Sequence, residues 1–187
     1  MKHFIAVVFV FAGVHTSRVV AQSVNSSTSA TDISNADILA VMKSAPNAVD
    51  QQIKVVDLGK YAVAVGILQR PRSVGAPGAI LHSKVTEVYH IMQGSGTLVT
   101  GGTLPDGTPS PADGQVVKLL VGPSVSARTI ENGHSRKVGP GDVIVIPAGV
   151  PHWFSSVEED LKYLVIRVDG EHVLPAGYVH PAAATHP

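Results

Sequence analysis

Hydrophobic and polar positions change rhythm once along this chain of 187 residues. Residues 32–45 carry Ile33, Ala36, Leu39, Ala40 and Met42 near helical spacing. Ser34 or Asp32 can cap that segment and Pro46 stops it, so one short helix is predicted. From residue 51 onward the period falls to two. Ile53 and Val55 share one face of a strand over 51–58, and a longer β-rich run covers 60–69. Further strands are predicted over 79–84, 87–93, 96–100, 116–121, 135–138, 142–146, 152–155 and 161–168. Gly and Pro punctuate them, at 71–78 and in a long loop over 101–114. Many short strands without alternating helices predict an all-β sandwich or barrel. Past Asp169, the prolines Pro175, Pro181 and Pro187 predict a loosely ordered tail over 169–187.

The first residues follow a different logic. Lys2 and His3 precede an apolar run over 4–14, and Val19, Val20 and Ala21 precede Gln22. This is the layout of a secretory signal peptide over residues 1–21. The run is shorter than the roughly 20 residues of a permanent membrane span. The expectation is a periplasmic or secreted chain with no membrane association once the leader is removed. Residues 22–49 then form a flexible lead-in plus the short helix, and residues 50–168 form the barrel.

Composition narrows the chemistry. The chain has no cysteine, which excludes a disulfide framework, thiolate zinc, iron–sulfur clusters and a cysteine nucleophile. It has 14 basic and 14 acidic residues, against the basic excess of a nucleic-acid binder. Loss of residues 1–21 would remove Lys2 and Arg18 and no acid, leaving the chain acidic by two. No phosphate-binding glycine loop, Ser/His/Asp triad or nucleotide fingerprint is present.

Two segments carry candidate chemistry. The first holds His82, Glu87, Tyr89, His90 and Gly94; the second holds Gly141, Pro147, Gly149, His152 and Ser156. Pro147 and Gly149 predict a turn that returns the chain into a strand at His152. Glu87 and Tyr89 lie two apart, on one strand face, and His90 lies on the other. His82 can join Glu87 only through a bulge or bend over residues 83–86. The segments resemble the paired motifs of the cupin superfamily. The second matches the pattern G-x5-P-x-G-x2-H-x3-N except that Ser156 replaces the final Asn. In the first, Glu87 and Gly94 have the family spacing, His82 fits the second histidine, and Ile80 stands where the first histidine belongs.

The resemblance covers roughly residues 50–168 and implies a double-stranded β-helix, the jelly-roll barrel, after a short N-terminal helix. It implies His82, Glu87 and His152 as ligands of a divalent metal, whether Fe, Mn, Ni, Cu or Zn. Tyr89 is the candidate catalytic residue, as a general acid/base, a fourth ligand or a hydrogen-bond partner of the ligands. Lys84 offers another arrangement, an ion pair with Glu87 in place of a metal. Of Trp153 and Phe154, one should face the cavity and the other the outside. The expected partners are a small organic ligand and a second copy of the chain in a dimer, with no nucleic acid. Function stays open between a metal-dependent oxidoreductase, lyase or isomerase, a non-catalytic binding module, and a structural oligomer with a degenerate metal site.

Overall fold

The structure, a computed structural model, describes residues 29–46, 49–74 and 78–183. The expected leader and the start of the lead-in lie outside these residues. The predicted helix forms as α1 (Asn35–Ser44), with Ser34 as its cap. The Ser34 hydroxyl accepts from the Asp37 N–H at 3.1 Å, and Asp37 accepts from the Ser34 N–H at 2.9 Å. Such a reciprocal cap stabilises a helix by about 1 kcal/mol. The helix seats Ile38 and Val41 on Ile53 and Ile67, while Leu39, expected on the apolar face, is 55% exposed.

Strands then dominate. They are β1 (Asp50–Asp57), β2 (Ala62–Arg70), β3 (Ala79–His82), β4 (Val85–Gln93) and β5 (Gly96–Thr100). After the long loop come β6 (Thr108–Pro109), β7 (Ser124–Ala127), β8 (His134–Val138), β9 (Val143–Ile146), β10 (His152–Val157) and β11 (Leu161–Asp169). They build a five-stranded sheet, β1-β2-β11-β4-β9, and a six-stranded sheet, β6-β7-β3-β10-β5-β8. Pairing is antiparallel throughout the described strands. This is the all-β jelly roll that the family resemblance implied.

The strand predicted over 116–121 is instead a π-helical turn, Val116–Val121. Its run of branched and apolar residues satisfies either geometry, and four-residue spacing decides: Val117 and Val121 are both buried. The tail departs from its expectation as well. The Asp169 carboxylate accepts backbone N–H bonds from Glu171, Val173 and Leu174, turning the chain back on itself. Residues 177–180 then bond along the edge of β1, through Gly177 to Val55 and His180 to Ile53. Pro175 and Pro181 lie in the turns of this strap, and Leu174 and Ala183 are buried.

The inner face of β2 is deliberately small until its end: Ala62, Ala64 and Gly66, then Leu68 and Arg70. A Cβ on Gly66 would lie 2.9 Å from the Gln51 carbonyl oxygen and 3.0 Å from Arg167 Nη1. The missing side chain makes room for a buried guanidinium.

Candidate metal centre and ligand cavity

His82 ends β3 in the six-stranded sheet, and Glu87 sits in β4 of the five-stranded sheet. The bend expected over 83–86 is therefore a corner at which the chain changes sheets. Pairing of the Gly149 N–H with the His82 carbonyl, 2.8 Å, fixes that corner against the next turn. That turn runs over 147–150, closed by the Val150 N–H on the Pro147 carbonyl at 3.1 Å, with Gly149 at φ 82°. A left-handed residue at the third place of such a turn favours glycine. The chain then re-enters the barrel at His152.

Three buried side chains, His82, Glu87 and His152, converge with their nitrogen and oxygen donor atoms within 4.8 Å of one another. His82 Nε2 lies 3.3 Å from Glu87 Oε2, and His152 Nε2 lies 3.5 Å from the same oxygen. The hydrogen bonds at the far sides of the rings set their tautomers. His152 Nδ1 sits 3.1 Å from the Val150 carbonyl, which can only accept. His82 Nδ1 sits 2.9 Å from Ser124 Oγ, whose own hydrogen goes to the Gly122 carbonyl. Both Nδ1 atoms thus carry hydrogen, and both Nε2 lone pairs face the carboxylate. His152 Nε2 is buried without a hydrogen-bond partner among the described residues. Burial, reinforced by the nearby His82, lowers the His152 pKa to about 4, so the ring is neutral at pH 7. Two imidazole lone pairs and a carboxylate oxygen pointed at one another form a donor set that suits a divalent cation.

Tyr89 completes the cluster. Its hydroxyl donates to Glu87 Oε2 at 2.8 Å. Burial and the Glu87 charge push its pKa well above the usual phenol value, so the hydroxyl keeps its proton and donates it to the carboxylate. His90 points to the exposed outer face. Lys84 does not reach Glu87; it pairs with Glu171 at 2.9 Å near the surface. Phe154 is buried in the barrel core, and Trp153 packs on the other face with Val99 and Ile130. His134 starts β8, exposed to solvent.

The cation beside Glu87 is Arg167, on β11, with no exposed surface. Its Nε donates to Glu87 Oε1 at 2.9 Å, Nη1 to Gln52 Oε1 at 2.6 Å and Nη2 to Asp50 Oδ2 at 2.5 Å. Burial alone would raise the Glu87 carboxyl; the Arg167 guanidinium, the strongest of the opposing contacts, holds it well below the usual range. Glu87 is therefore ionised, with Oε1 committed to Arg167 and Oε2 turned to the histidines. Asp50 is the weaker acid: burial raises its carboxyl although Arg167 opposes the shift.

The cluster forms one wall of a cavity of about 410 Å³. Leu68, Ile80 and Ala127 supply apolar wall, and Val116, Leu120 and Val121 of the π-helical turn line it too. Ile80 is directly opposite His152 in the register of β3 and β10, so the vacant histidine position faces the centre.

Comparison with known families settles the lineage. The family profile described as Cupin matches residues 52–180. The chain is a cupin.

Among solved structures this cupin is similar to BH2720 from Bacillus halodurans, at 16% identity and TM-score 0.46, covering 87% of this chain and 98% of that one. A cupin protein from Bacteroides fragilis matches at 19% identity and TM-score 0.40, over 71% of this chain and 86% of the other. The DMSP lyase DddQ from Ruegeria pomeroyi matches at 16% identity and TM-score 0.40, over 70% of this chain and 51% of that one. No functionally curated protein matches the chain. The cupin motifs bring together all three residues chosen as ligands, with Tyr89 beside them. They gave no warning of Arg167, Asp50 and Gln52.

Proposed function

We propose that this cupin holds one divalent cation at His82, Glu87 and His152 and binds a small organic ligand in the adjoining cavity. The observation that carries the proposal is the buried Nε2 of His152, without a hydrogen-bond partner among the described residues and aimed with His82 Nε2 at Oε2 of an ionised Glu87, the oxygen that Arg167 leaves to Tyr89 and the histidines. A buried acceptor left unsatisfied costs about 1–3 kcal/mol, which a shared cation would recover. Bound there, a divalent cation supplies Lewis acidity toward an oxygen of the ligand. The protein's own part is positional. Ser124 and the Val150 carbonyl fix the two ring orientations, Arg167 and Tyr89 fix the carboxylate, and the Tyr89 hydroxyl keeps a proton at the cavity wall.

Metal analysis of the purified chain tests this: near one equivalent is expected, and His152→Ala should lose it while His134→Ala keeps it. A chain that stays metal-free after reconstitution with Fe, Mn, Ni, Cu and Zn would overturn the reading. It would favour a metal-free binding barrel, which one observation supports: Arg167 already gives Glu87 a cationic partner.

Export through the leader at 1–21 and assembly as a dimer belong to the same proposal. Support for the dimer lies on the outer face of the five-stranded sheet. Val143 and Val145, on edge strand β9, are 60% and 62% exposed beside half-buried Val88, Leu164 and Ile166. A second copy would cover both the apolar face and the open edge.

A further inference from the structure

Arg70, which the metal centre does not use, closes the inner face of β2 and lines the cavity. Three contacts hold its head in place. Nε donates to the Tyr163 hydroxyl at 2.9 Å, and the guanidinium carbon lies 5.5 Å from the Phe154 ring centre and 5.9 Å from that of Tyr163. Nη1 and Nη2 have no hydrogen-bond partner among the described residues, and no carboxylate there lies within ion-pair distance. The nearest competing acid on the same cavity wall, Asp50, is committed to Arg167.

The charges of the cavity make this cation informative. Arg167 is offset by Asp50 and Glu87 together, so Arg70 balances the remaining negative charge only at a distance. With a divalent cation at the histidine cluster, the cavity carries a net positive charge. Its remaining surface is largely apolar, from Leu68, Ile80 and Leu120. A pinned guanidinium with a free pair of donors is preorganised for a carboxylate, because little rotamer entropy is lost when the ligand arrives. The cavity, about 410 Å³, lies at the small end of ligand pockets.

We propose that Arg70 is the specificity-determining residue, its Nη1 and Nη2 receiving the carboxylate of a small monocarboxylic acid with an apolar body. The acid's far end meets the His82–Glu87–His152 cluster. That orientation rests on the metal reading; the contact at Arg70 does not.

The test is calorimetric titration of the full chain with straight-chain and aromatic monocarboxylates, hexanoate and benzoate included, each against its primary amide. Titrations are run on metal-loaded and on chelated protein. Hexanoate or benzoate should bind at least about tenfold more tightly than its amide, a difference of about 1.4 kcal/mol. Arg70→Gln should bring acid and amide within about twofold without changing metal content. If that variant fails to fold, Arg70→Lys keeps the charge but loses the two-pronged donor. It should weaken the acid severalfold and leave the amide unchanged. If Arg70 served only to pack Phe154 and Tyr163, Arg70→Gln would lower the melting temperature and leave acid selectivity intact. Equal binding of acid and amide, no binding of any acid, or selectivity that survives Arg70→Gln overturns the proposal. Acid selectivity in chelated protein upholds it even where the metal measurement fails.

Discussion

Replacing Arg167 by methionine keeps an unbranched apolar stem and removes the cation that Glu87 and Asp50 share. Arg167 has no exposed surface and donates to Glu87, Gln52 and Asp50 at 2.9, 2.6 and 2.5 Å. Each hydrogen bond to a charged partner contributes about 1.5–3 kcal/mol. The three do not simply add, because the loss also strands two carboxylates. Breaking a buried ion pair costs about 3–5 kcal/mol, and two stranded acids place Arg167→Met toward the upper end. Urea unfolding at pH 7 on chelated protein reads the loss. Adding Glu87→Gln to the Met variant removes one stranded charge. The double variant should therefore be less destabilised than the sum of its parts by about 1 kcal/mol or more. The pH response has a definite sign. In the parent chain the Glu87 carboxyl is depressed, so its contribution is complete above the ordinary value of 4.5 and is lost as pH falls through its lower folded value. In Arg167→Met the carboxyl rises, so the variant should gain stability relative to the parent as pH falls from 7 toward 5. A loss under about 1 kcal/mol, or strict additivity in the cycle, would refute the argument that this arginine holds the carboxylates ionised.

Other outcomes follow from the same geometry. His152 titrates near 4 in the fold against 6.5 for the free side chain. The unfolded chain takes up the proton first, so chelated protein should lose up to about 3 kcal/mol as pH falls from 6.5 to 4. His152→Gln should flatten that slope in urea titrations, and an unchanged slope would reject the assignment. Ile80→His adds a third imidazole to the cluster, directly opposite His152, where facing Cβ atoms lie about 4.5–5.5 Å apart. Nickel or zinc affinity, measured by competition with a chelating dye, should rise at least about tenfold, or 1.4 kcal/mol. No gain would mean that residue 80 does not face the centre. Val145→Glu places a charge on the exposed face of β9 and should shift the sedimentation of the chain from dimer to monomer. A parent chain that sediments as a monomer would remove the dimer from the proposal.

The strands rich in branched residues and bounded by Gly and Pro turns are legible from the sequence. The span 96–100 coincides with β5, whereas Ile53 and Val55, expected on one face, are both buried but part at the bulge after Gln52: Ile53 lies under α1 with Ile67, and Val55 lies with Ala62 and Ala64. β7 escaped because Ser124, Ser126 and Ala127 leave Val125 as its one large apolar residue. The turn at Val116–Val121 is not legible from the sequence because its five apolar residues, interrupted only by Lys118, fit a strand and a helical turn equally. At the centre, the motif spacing located His82, Glu87 and His152, since the turn at Pro147 and Gly149 and the corner after His82 are local features. Arg167 was hidden by its own strand. In β11 both faces are apolar, with Tyr163 and Val165 on one and Leu164 and Ile166 on the other, so sequence alone does not reveal which face turns inward. The inward placement of Asp50 and Gln52 is likewise decided by pairing with β2, a long-range event.

The corner at His82 divides the cluster between the sheets. Arg167, Glu87, Asp50 and Gln52 all belong to the five-stranded sheet, whereas His82 and His152 belong to the six-stranded one. The arginine network therefore braces one wall of the barrel and never crosses it. A cation held by both histidines and Glu87 would be a rivet through two plates. Its arrival would slow amide hydrogen exchange on both plates together, and its removal would leave them free to breathe apart around the cavity. In such a barrel, loading the centre and closing the binding space are one mechanical event.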